Sequence, residues 1–267
     1  MMRALWTAAS GMTAQQLNVD VISNNLSNVN TTAYKKQRVE FRDLLYETLS
    51  RANVLEGEGR PVNLQVGHGV APTSTVTTYT VGNMEKTDNP LDFALDGDGF
   101  FAVRNSNDEV VYTRDGSFKL SVSDGEAKLV TKEGYPVLDD GDSEIFLTDM
   151  DISRLSIGPT GELAYMDADN IAEPLGQTIQ IVQFQNREGL LKIGSNFVTP
   201  SSASGEAILE LELENRSSIM QGFLESSNVQ VVEEMVKLIV AQRAYEINSK
   251  AIQTSDEMLG MANNLRR

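Results

Sequence analysis

The chain has 267 residues, 40% of them hydrophobic, no cysteine, and a formal charge of −16 at pH 7. Without cysteine it forms neither disulfides nor thiolate metal sites. The acidity and the lack of a basic patch exclude a nucleic-acid partner, and no apolar run reaches the roughly 18 residues of a membrane span. The N-terminus lacks the basic, apolar and small-residue order of a signal peptide, so we expect no cleaved signal.

An apolar repeat typical of a helix occupies the first 30 residues. Two series recur every seven residues and are offset by three: Leu5, Met12, Val19 and Leu26, then Ala8, Gln15, Ile22 and Val29. This spacing places them on one helical face. Residues 46–65 have no clean period and predict an extended connector.

The centre of the chain is predicted to be mostly β. Residues 61–220 hold 15 of the 20 glycines, with 10 basic and 26 acidic residues, which is the whole charge excess. Turn signals lie at 96–99, 114–116, 123–125 and 133–134, and the Asp-Gly pairs in the first three predict hairpin turns. Leu209, Leu211 and Leu213 alternate with glutamates, which predicts a strand with its leucines buried.

A second apolar helix is predicted at the C-terminus. Ser227 and Gln230 form a capping-box pattern before it. Its apolar face is wide enough to contact more than one neighbour. Because both ends of the chain are nearly neutral and apolar, we expect open-ended assembly through the helix stripes. The predicted self-assembly residues are Leu5, Met12, Val19, Ile22, Leu26, Val29, Val231, Met235, Leu238, Tyr245, Ile252 and Leu259.

Residues that could support catalysis or bind a cofactor are few. His68 is the single histidine, Gly97-Asp98-Gly99 lacks the spacing of a nucleotide loop, and Asp139–Asp142 and 167–169 lack that of a calcium loop. We therefore predict no catalytic, cofactor or metal site. Weak calcium binding, a cell-wall hydrolase with an acid/base carboxylate pair, and a secreted helical adaptor or adhesin forming a closed oligomer remain as alternatives.

Several segments resemble the flagellar rod, hook and hook-associated protein family of bacteria. The residues of its Asn-rich signature are Ser23, Asn24, Asn25, Leu26, Asn28, Thr31 and Thr32. Further segments look like the distal-rod members in particular: 5–12, 15–18, 41–46, 89–94, 97–101, 112–118, 221–225, 233–236 and 241–251. Ala33-Tyr34 departs from the family's usual Gly-Phe, and 208–215 replaces a looser Gly-rich stretch.

The resemblance implies an α+β fold in three parts. N- and C-terminal helices would pair as a coiled-coil-like layer made of 1–34 and 226–267. A connecting region would comprise 35–82 and 206–225, and a mostly antiparallel outer β domain would comprise 83–205. In the family the segment after the first helix separates stiff rod from flexible hook, and here it contains Tyr46, Arg51, Glu56, Pro61 and Gln65.

The resemblance also implies a structural role without enzymatic activity. The chain would polymerise as a helical homopolymer into the distal rod of the basal body, a rigid hollow drive shaft that transmits motor torque to the hook. Its partners would be other copies of itself, proximal rod proteins below, the hook protein above, and the surrounding periplasmic and outer-membrane rings. It would be exported by the flagellar type III apparatus, without membrane insertion.

Overall fold

The computed structural model describes residues 2–50, 63–123, 125–147, 151–166, 172–213 and 216–264. The chain forms two compact units. The first contains residues 1–27, 37–77 and 230–267, and the second contains 28–36 and 78–229.

In its described residues, the first unit has two long helices and four strands. Helix α1 is Met2–Ser27 and helix α2 is Val231–Asn264. The strands are β1 Gln37–Asp43, β2 Tyr46–Ser50, β3 Leu64–Gly67 and β4 Val70–Thr77. β1 pairs with β4 and β2 pairs with β3, both antiparallel. α1 packs against α2, β1 and β4.

The second unit is built from short strands. They are β5 Met84–Lys86, β6 Phe93–Asp96, β7 Phe100–Arg104, β8 Val110–Thr113, β9 Lys119–Ser123, β10 Glu126–Val130, β11 Leu155–Ile157, β12 Glu162–Met166, β13 Ala172–Thr178, β14 Ile181–Gln183, β15 Leu191–Gly194, β16 Phe197–Thr199, β17 Ile208–Leu209, β18 Ser218–Gln221 and β19 Phe223–Glu225. The largest sheet has the order β15-β16-β8-β7-β14-β17, and β11-β12-β13 form a three-stranded sheet. Among the described strands, every named pair is antiparallel.

The core of this unit lies on both sides of the six-stranded sheet. Side chains alternate along β7, so that Phe101 joins one apolar cluster and Phe100 joins the other. Phe101 packs edge-on against Phe118, and Phe100 packs edge-on against Phe184. The α+β class, with terminal helices and a mostly antiparallel β domain, is therefore confirmed.

Two of the three Asp-Gly segments predicted as hairpin turns are wrong. Residues 96–99 connect β6 to β7, but β6 pairs with β18 whereas β7 pairs with β8 and β14. Residues 114–116 likewise leave β8 without returning along it, because Asp115 accepts hydrogen bonds from the backbone N–H and the hydroxyl of Ser117. The third segment, at 123–125, does connect the antiparallel neighbours β9 and β10. The Glu133-Gly134 turn signal lies between the bridge partners Val130 and Pro136.

The strand predicted from the Leu-Glu alternation is also wrong. After the two residues of β17, Glu210–Glu212 form a 3₁₀ turn, in which Glu210 is buried and Leu211 is exposed. The Glu210 carboxylate accepts hydrogen bonds from the N–H of Ser217 (2.9 Å) and the amide of Gln183 (2.6 Å). These hydrogen bonds compensate for burying the charge, which the alternating pattern does not reveal.

The helix limits differ from the predicted ones in two places. α1 ends at Ser27, so Val29 lies in the following turn and not on the helical stripe. α2 begins at Val231, since the Ser227 hydroxyl accepts a hydrogen bond from the N–H of Val229 instead of capping a helix. Glu233 and Glu234 in the first turn favour this start, because carboxylates interact favourably with a helix N-terminus.

Candidate functional site

The side chains buried along the two helices are mostly small or polar. They are Ala8, Ala14, Ile22 and Asn25 in α1, and Glu234, Ala241 and Ser255 in α2. Gly11 of α1 lies so near Asn248 of α2 that an added Cβ would be 2.8 Å from its amide nitrogen. Small residues thus let the two helices approach closely.

The predicted stripe residues lie at the edges of this contact. Ile22 is buried, whereas Leu5, Met12, Val19, Leu26, Leu238, Ile252 and Leu259 are half-buried, and Val231, Met235 and Tyr245 are exposed. Val19 and Tyr245 line a groove of about 360 Å³ between the helices. That groove leaves stripe side chains available to a further neighbour.

A second apolar face lies on the opposite side of α2. At 100° per residue, Val232, Val236 and Ile239 lie roughly 140–180° around the helix from the buried Glu234 and Ala241, Ile247 lies roughly 120–140° away, and Val240 lies roughly 100–120° away. Their exposed fractions include 75% for Val232, 69% for Ile247 and 63% for Val240. The uncovered β-branched residues of this outer face are the most conspicuous feature of the helix.

This outer face is not part of the predicted stripe, whose Val231 and Leu238 lie on the side of the buried Glu234 at 100° per residue. The spacing of four between Val232, Val236 and Val240 is the signal that could have found it, since residues four apart share a helix face.

Asn25 connects three elements of the first unit. Its amide oxygen accepts the N–H of Gln37 (2.9 Å), and its amide nitrogen donates to the Gln37 carbonyl (2.8 Å) and to the Glu234 carboxylate (3.1 Å). Lys237 also donates to Glu234, at 2.7 Å. This signature asparagine therefore holds α1 against the first residue of β1 and the first turn of α2.

Other signature residues are divided between helix and turn. Ser23, Asn24 and Leu26 lie on α1, with Ser23 and Asn24 exposed. Asn28 and Thr31 close a turn through a side-chain hydrogen bond of 3.1 Å. Thr32 donates to Asp115 at 2.9 Å.

Ala33 occupies a backbone conformation that favours glycine. Its φ is +56°, in the left-handed region, and its N–H donates to the carbonyl of Glu225. Ala33 thus replaces the family's usual glycine at a position whose backbone conformation glycine adopts without strain.

A buried charge cluster crosses the second unit. The Glu225 carboxylate accepts hydrogen bonds from Lys35 (2.5 Å), Arg114 (3.0 Å) and the N–H of Gly82 (2.7 Å). Burial raises the pKa of Glu225, but Arg114 and Lys35 more than offset this effect, so its pKa lies below the ordinary value. Arg114 also donates to the carbonyls of Leu95, Gly97 and Gly99, and so fixes the β6-β7 connection.

Comparisons with known proteins account for both ends and the middle of the chain. Models of three families match it: "Flagella basal body rod protein" at 5–35, "Flagellar hook protein FlgE/F/G D1 domain" at 94–165, and "Flagellar basal body rod FlgEFG protein C-terminal" at 220–265. The flagellar basal-body rod protein FlgG of Borreliella burgdorferi is 49% identical over 271 residues, which cover 100% of both chains. The chain belongs to the flagellar basal-body rod proteins.

Two further rod proteins of that name support the same assignment. The protein of Caulobacter vibrioides is 41% identical over 99% of this chain and 100% of its own length. That of Buchnera aphidicola subsp. Schizaphis graminum is 41% identical over 97% of this chain and 98% of its own length. The terminal family segments of this rod protein contain most of α1 and α2.

The connector residues of this rod protein are only partly described. Tyr46 lies on β2 opposite Gly67, and Gln65 lies on β3 opposite Thr48. Arg51, Glu56 and Pro61 lie outside the described residues. The expected irregular connector therefore begins and ends as an antiparallel ladder.

The remaining candidate residues show no reactive arrangement in the part of the chain that the structure describes. His68 is exposed, and its Nδ1 lies 2.9 Å from the carbonyl oxygen of Leu45. The described residues contain no group of three or more His, Asp or Glu placed to hold a metal ion. Within the same ranges, no helix of the rod protein is long and apolar enough to cross a membrane.

Proposed function

We propose that this chain is a structural subunit of the flagellar basal-body rod and that its copies assemble through the outer face of α2. The observation that carries the proposal is the exposed row Val232, Val236, Ile239, Val240 and Ile247 on a helix whose other side already packs on α1. Full burial of a Val or Ile side chain contributes roughly 1.5–3 kcal/mol, so this row favours a permanent partner. Membership of a rod-protein family makes another copy of the same chain that partner.

Charge distribution supports assembly through the helices. Residues 221–267 hold 5 basic and 6 acidic side chains, whereas 61–220 hold 10 and 26. Near-neutral helices associate without net repulsion, while the acidic β domain resists association through its own surface. A contact between different surfaces of successive copies does not close, and it builds a helical polymer.

Within the assembled polymer, we assign α1 and α2 to a coiled-coil-like inner layer. The half-buried Leu5, Met12, Val19, Leu26, Leu238, Ile252 and Leu259 complete that layer by contacting neighbouring copies. The three-part division into 1–34 with 226–267, 35–82 with 206–225, and 83–205 belongs to the same proposal.

The position in the basal body follows from the resemblance to distal-rod members of the family. We place the chain above the proximal rod proteins, below the hook protein, and inside the periplasmic and outer-membrane rings, as a hollow shaft that transmits torque. Export through the flagellar type III apparatus delivers the chain to the growing tip. Neither a closed-ring adaptor nor a cell-wall hydrolase is supported, because the family is structural.

The connector has a separate role in stiffness. We infer that residues 46–65 keep the rod straight, since in the family the corresponding segment separates stiff rod from flexible hook. A deletion within the connector is expected to give rods that bend in electron micrographs. Straight rods after the deletion would contradict this role.

The assembly proposal is tested with one variant of the outer face. Val240→Asp places a charge on the row, whereas Gln253→Asp places the same charge on an exposed polar position of α2. In cells lacking the native gene, we expect Gln253→Asp to restore rods in purified basal bodies and Val240→Asp to leave particles without them. Normal rods with Val240→Asp would refute the proposal.

A further inference from the structure

A cavity of about 200 Å³ opens in the second unit, beside the buried charge cluster. One water molecule needs on the order of 10–15 Å³, so the cavity is far larger than a single water requires. Three cationic side chains, Lys35, Arg114 and Lys192, contribute to its lining, and no acidic residue does so among the described residues. The cavity is therefore strongly electropositive.

The carboxylate nearest to these cations already accepts hydrogen bonds from two of them. Glu225 bonds to Lys35 and Arg114, so one negative charge faces three positive ones. Arg114 donates three further bonds to the carbonyls of Leu95, Gly97 and Gly99, whereas Lys35 donates only to Glu225 and to the carbonyl of Thr80 (2.7 Å). An ammonium has three N–H groups, so Lys35 keeps one without a partner in the described chain.

Of the three cations, Lys192 has the fewest hydrogen-bond partners. It lies on the exposed strand β15, but its ammonium sits over the Tyr34 ring (5.1 Å) and donates to the carbonyl of Lys35 (3.1 Å). Burial of the ammonium end lowers the pKa of Lys192 to about 8. For Lys35, burial first and then Arg114 lower the pKa to about 8 despite the attraction of Glu225. In both cases the largest cause is burial, which disfavours the charged ammonium.

A buried hydroxyl in the same lining also lacks a partner. Tyr79 is 8% exposed, and in the described structure its hydroxyl forms no hydrogen bond. Its ring packs edge-on against Phe100, which fixes its orientation. Burial raises the pKa of Tyr79 to about 12, so the hydroxyl keeps its proton and can donate it.

We propose that this cavity binds one oxyanion group, a carboxylate or a phosphate, through Lys192, Lys35 and the Tyr79 hydroxyl. An oxyanion supplies an acceptor atom for each of these three donors, and Arg114 adds electrostatic attraction. Charge-assisted hydrogen bonds of this kind are roughly twice as strong as neutral ones. The group comes either from a small anion in solution or from an acidic side chain of a neighbouring copy.

The binding test uses the full-length chain and two probes, inorganic phosphate and acetate, titrated calorimetrically at constant ionic strength. Wild type should bind saturably in the millimolar range. Tyr79→Phe and Lys192→Gln should each weaken binding at least tenfold. Lys119→Gln, an exposed lysine outside the lining, should bind as wild type does. Absence of saturable binding, or equal binding by all four proteins, overturns the proposal.

A stability measurement separates an anion ligand from a purely structural tyrosine. Because the Tyr79 hydroxyl has no protein partner in the described residues, Tyr79→Phe should not lower the unfolding midpoint in chloride, but it should abolish the rise that phosphate gives wild type. A lowered midpoint in chloride, with the phosphate effect unchanged, would show that the hydroxyl serves the fold alone.

The source of the anion is distinguished by assembly kinetics, and this arm alone rests on the proposed function. If a neighbouring copy supplies the carboxylate, Lys192→Gln slows assembly and acetate competes with it in wild type. If the anion comes from solution, Lys192→Gln assembles normally although it has lost binding. Anion binding by a chain that never polymerises would overturn the function and leave the site intact.

Discussion

Asn25 and Glu234 share a hydrogen bond of 3.1 Å although 209 residues separate them in the chain. Both are almost fully buried, at 1% and 2% exposed. The bond joins the last turns of α1 to the first turn of α2, so it sets the register of the two helices. A residue of the family signature thus acts inside the subunit, as a positioning residue for the helix that carries the proposed assembly face.

Asn25→Ala is expected to destabilise the helix pair by about 2–3 kcal/mol. The substitution leaves the N–H and C=O of Gln37 without their partner and removes one donor from buried Glu234, and unsatisfied buried groups cost about 1–3 kcal/mol each. The denaturant midpoint of the helical circular dichroism signal measures the loss. Ser23→Ala, at an exposed signature position, serves as the control, and equal midpoints for the two variants would contradict this role of Asn25.

Glu225→Gln is expected to destabilise the β unit by about 3–5 kcal/mol, because it leaves Lys35 and Arg114 as uncompensated buried cations. Lys132→Gln breaks the half-exposed pair with Asp115 and should cost less than about 1 kcal/mol. Denaturant unfolding followed by near-ultraviolet circular dichroism distinguishes the two. A loss below 1 kcal/mol for Glu225→Gln would show that the cluster does not stabilise the fold.

Asp140 should make the β unit less stable as pH rises from about 4 to 6. Burial and neighbouring Asp139 raise the pKa of Asp140 to about 6 from the ordinary value of 3.8. The folded state therefore holds this proton more tightly than the unfolded chain does, and its contribution is fully present below the unfolded pKa and is lost as pH passes through 6. Asp140→Asn should melt higher than wild type at pH 7 and lack this decline. Glu109→Gln, at an exposed position, should follow the wild-type profile, and an identical decline in Asp140→Asn would contradict the assignment.

Ile252→Asp and Leu26→Asp should differ from Val240→Asp in the unassembled chain. Ile252 and Leu26 are half-buried, whereas Val240 lies on the outer face, so only the first two charges disturb the contact of α1 with α2. All three variants should fail to form rods while the β unit stays folded. Helical circular dichroism should fall for Ile252→Asp and Leu26→Asp and stay near wild type for Val240→Asp. Normal rods in any of the three would contradict the assembly role of that residue.

The fold class could be predicted because both terminal repeats and the glycine distribution are long-range patterns. Local details were harder to predict from the sequence. The Leu-Glu alternation predicted that Leu211 is buried and Glu210 exposed, which is the reverse of the structure. Glu210 points inward because it accepts hydrogen bonds from Ser217 and Gln183, which lie outside the alternating segment. Turn residues at 96–99 predicted a hairpin, although strand pairing there depends on β18, more than 100 residues later.

The C-terminal helix and an apolar stripe along it were predicted, but the row on its outer face was not among the predicted self-assembly residues. A heptad pattern identifies residues that can pack, without stating which neighbour they meet. Small buried residues such as Ala241 decide that the side of Glu234 packs on α1 and that Val232 and Val236 remain outside. Asn25 and Arg114 were noted only as parts of motifs, because their partners Glu234 and Glu225 lie far away in sequence.

Thiol protection in assembled rods tests the central claim most directly, since the chain has no cysteine of its own. A single cysteine at Val240 or, as the control, at Lys119 in the β unit, is treated with a maleimide before and after assembly. Labelling at 240 should be rapid in the free subunit and strongly suppressed in the rod, while labelling at 119 stays rapid in both. Equal labelling at 240 before and after assembly would show that the outer face of α2 is not the contact between copies.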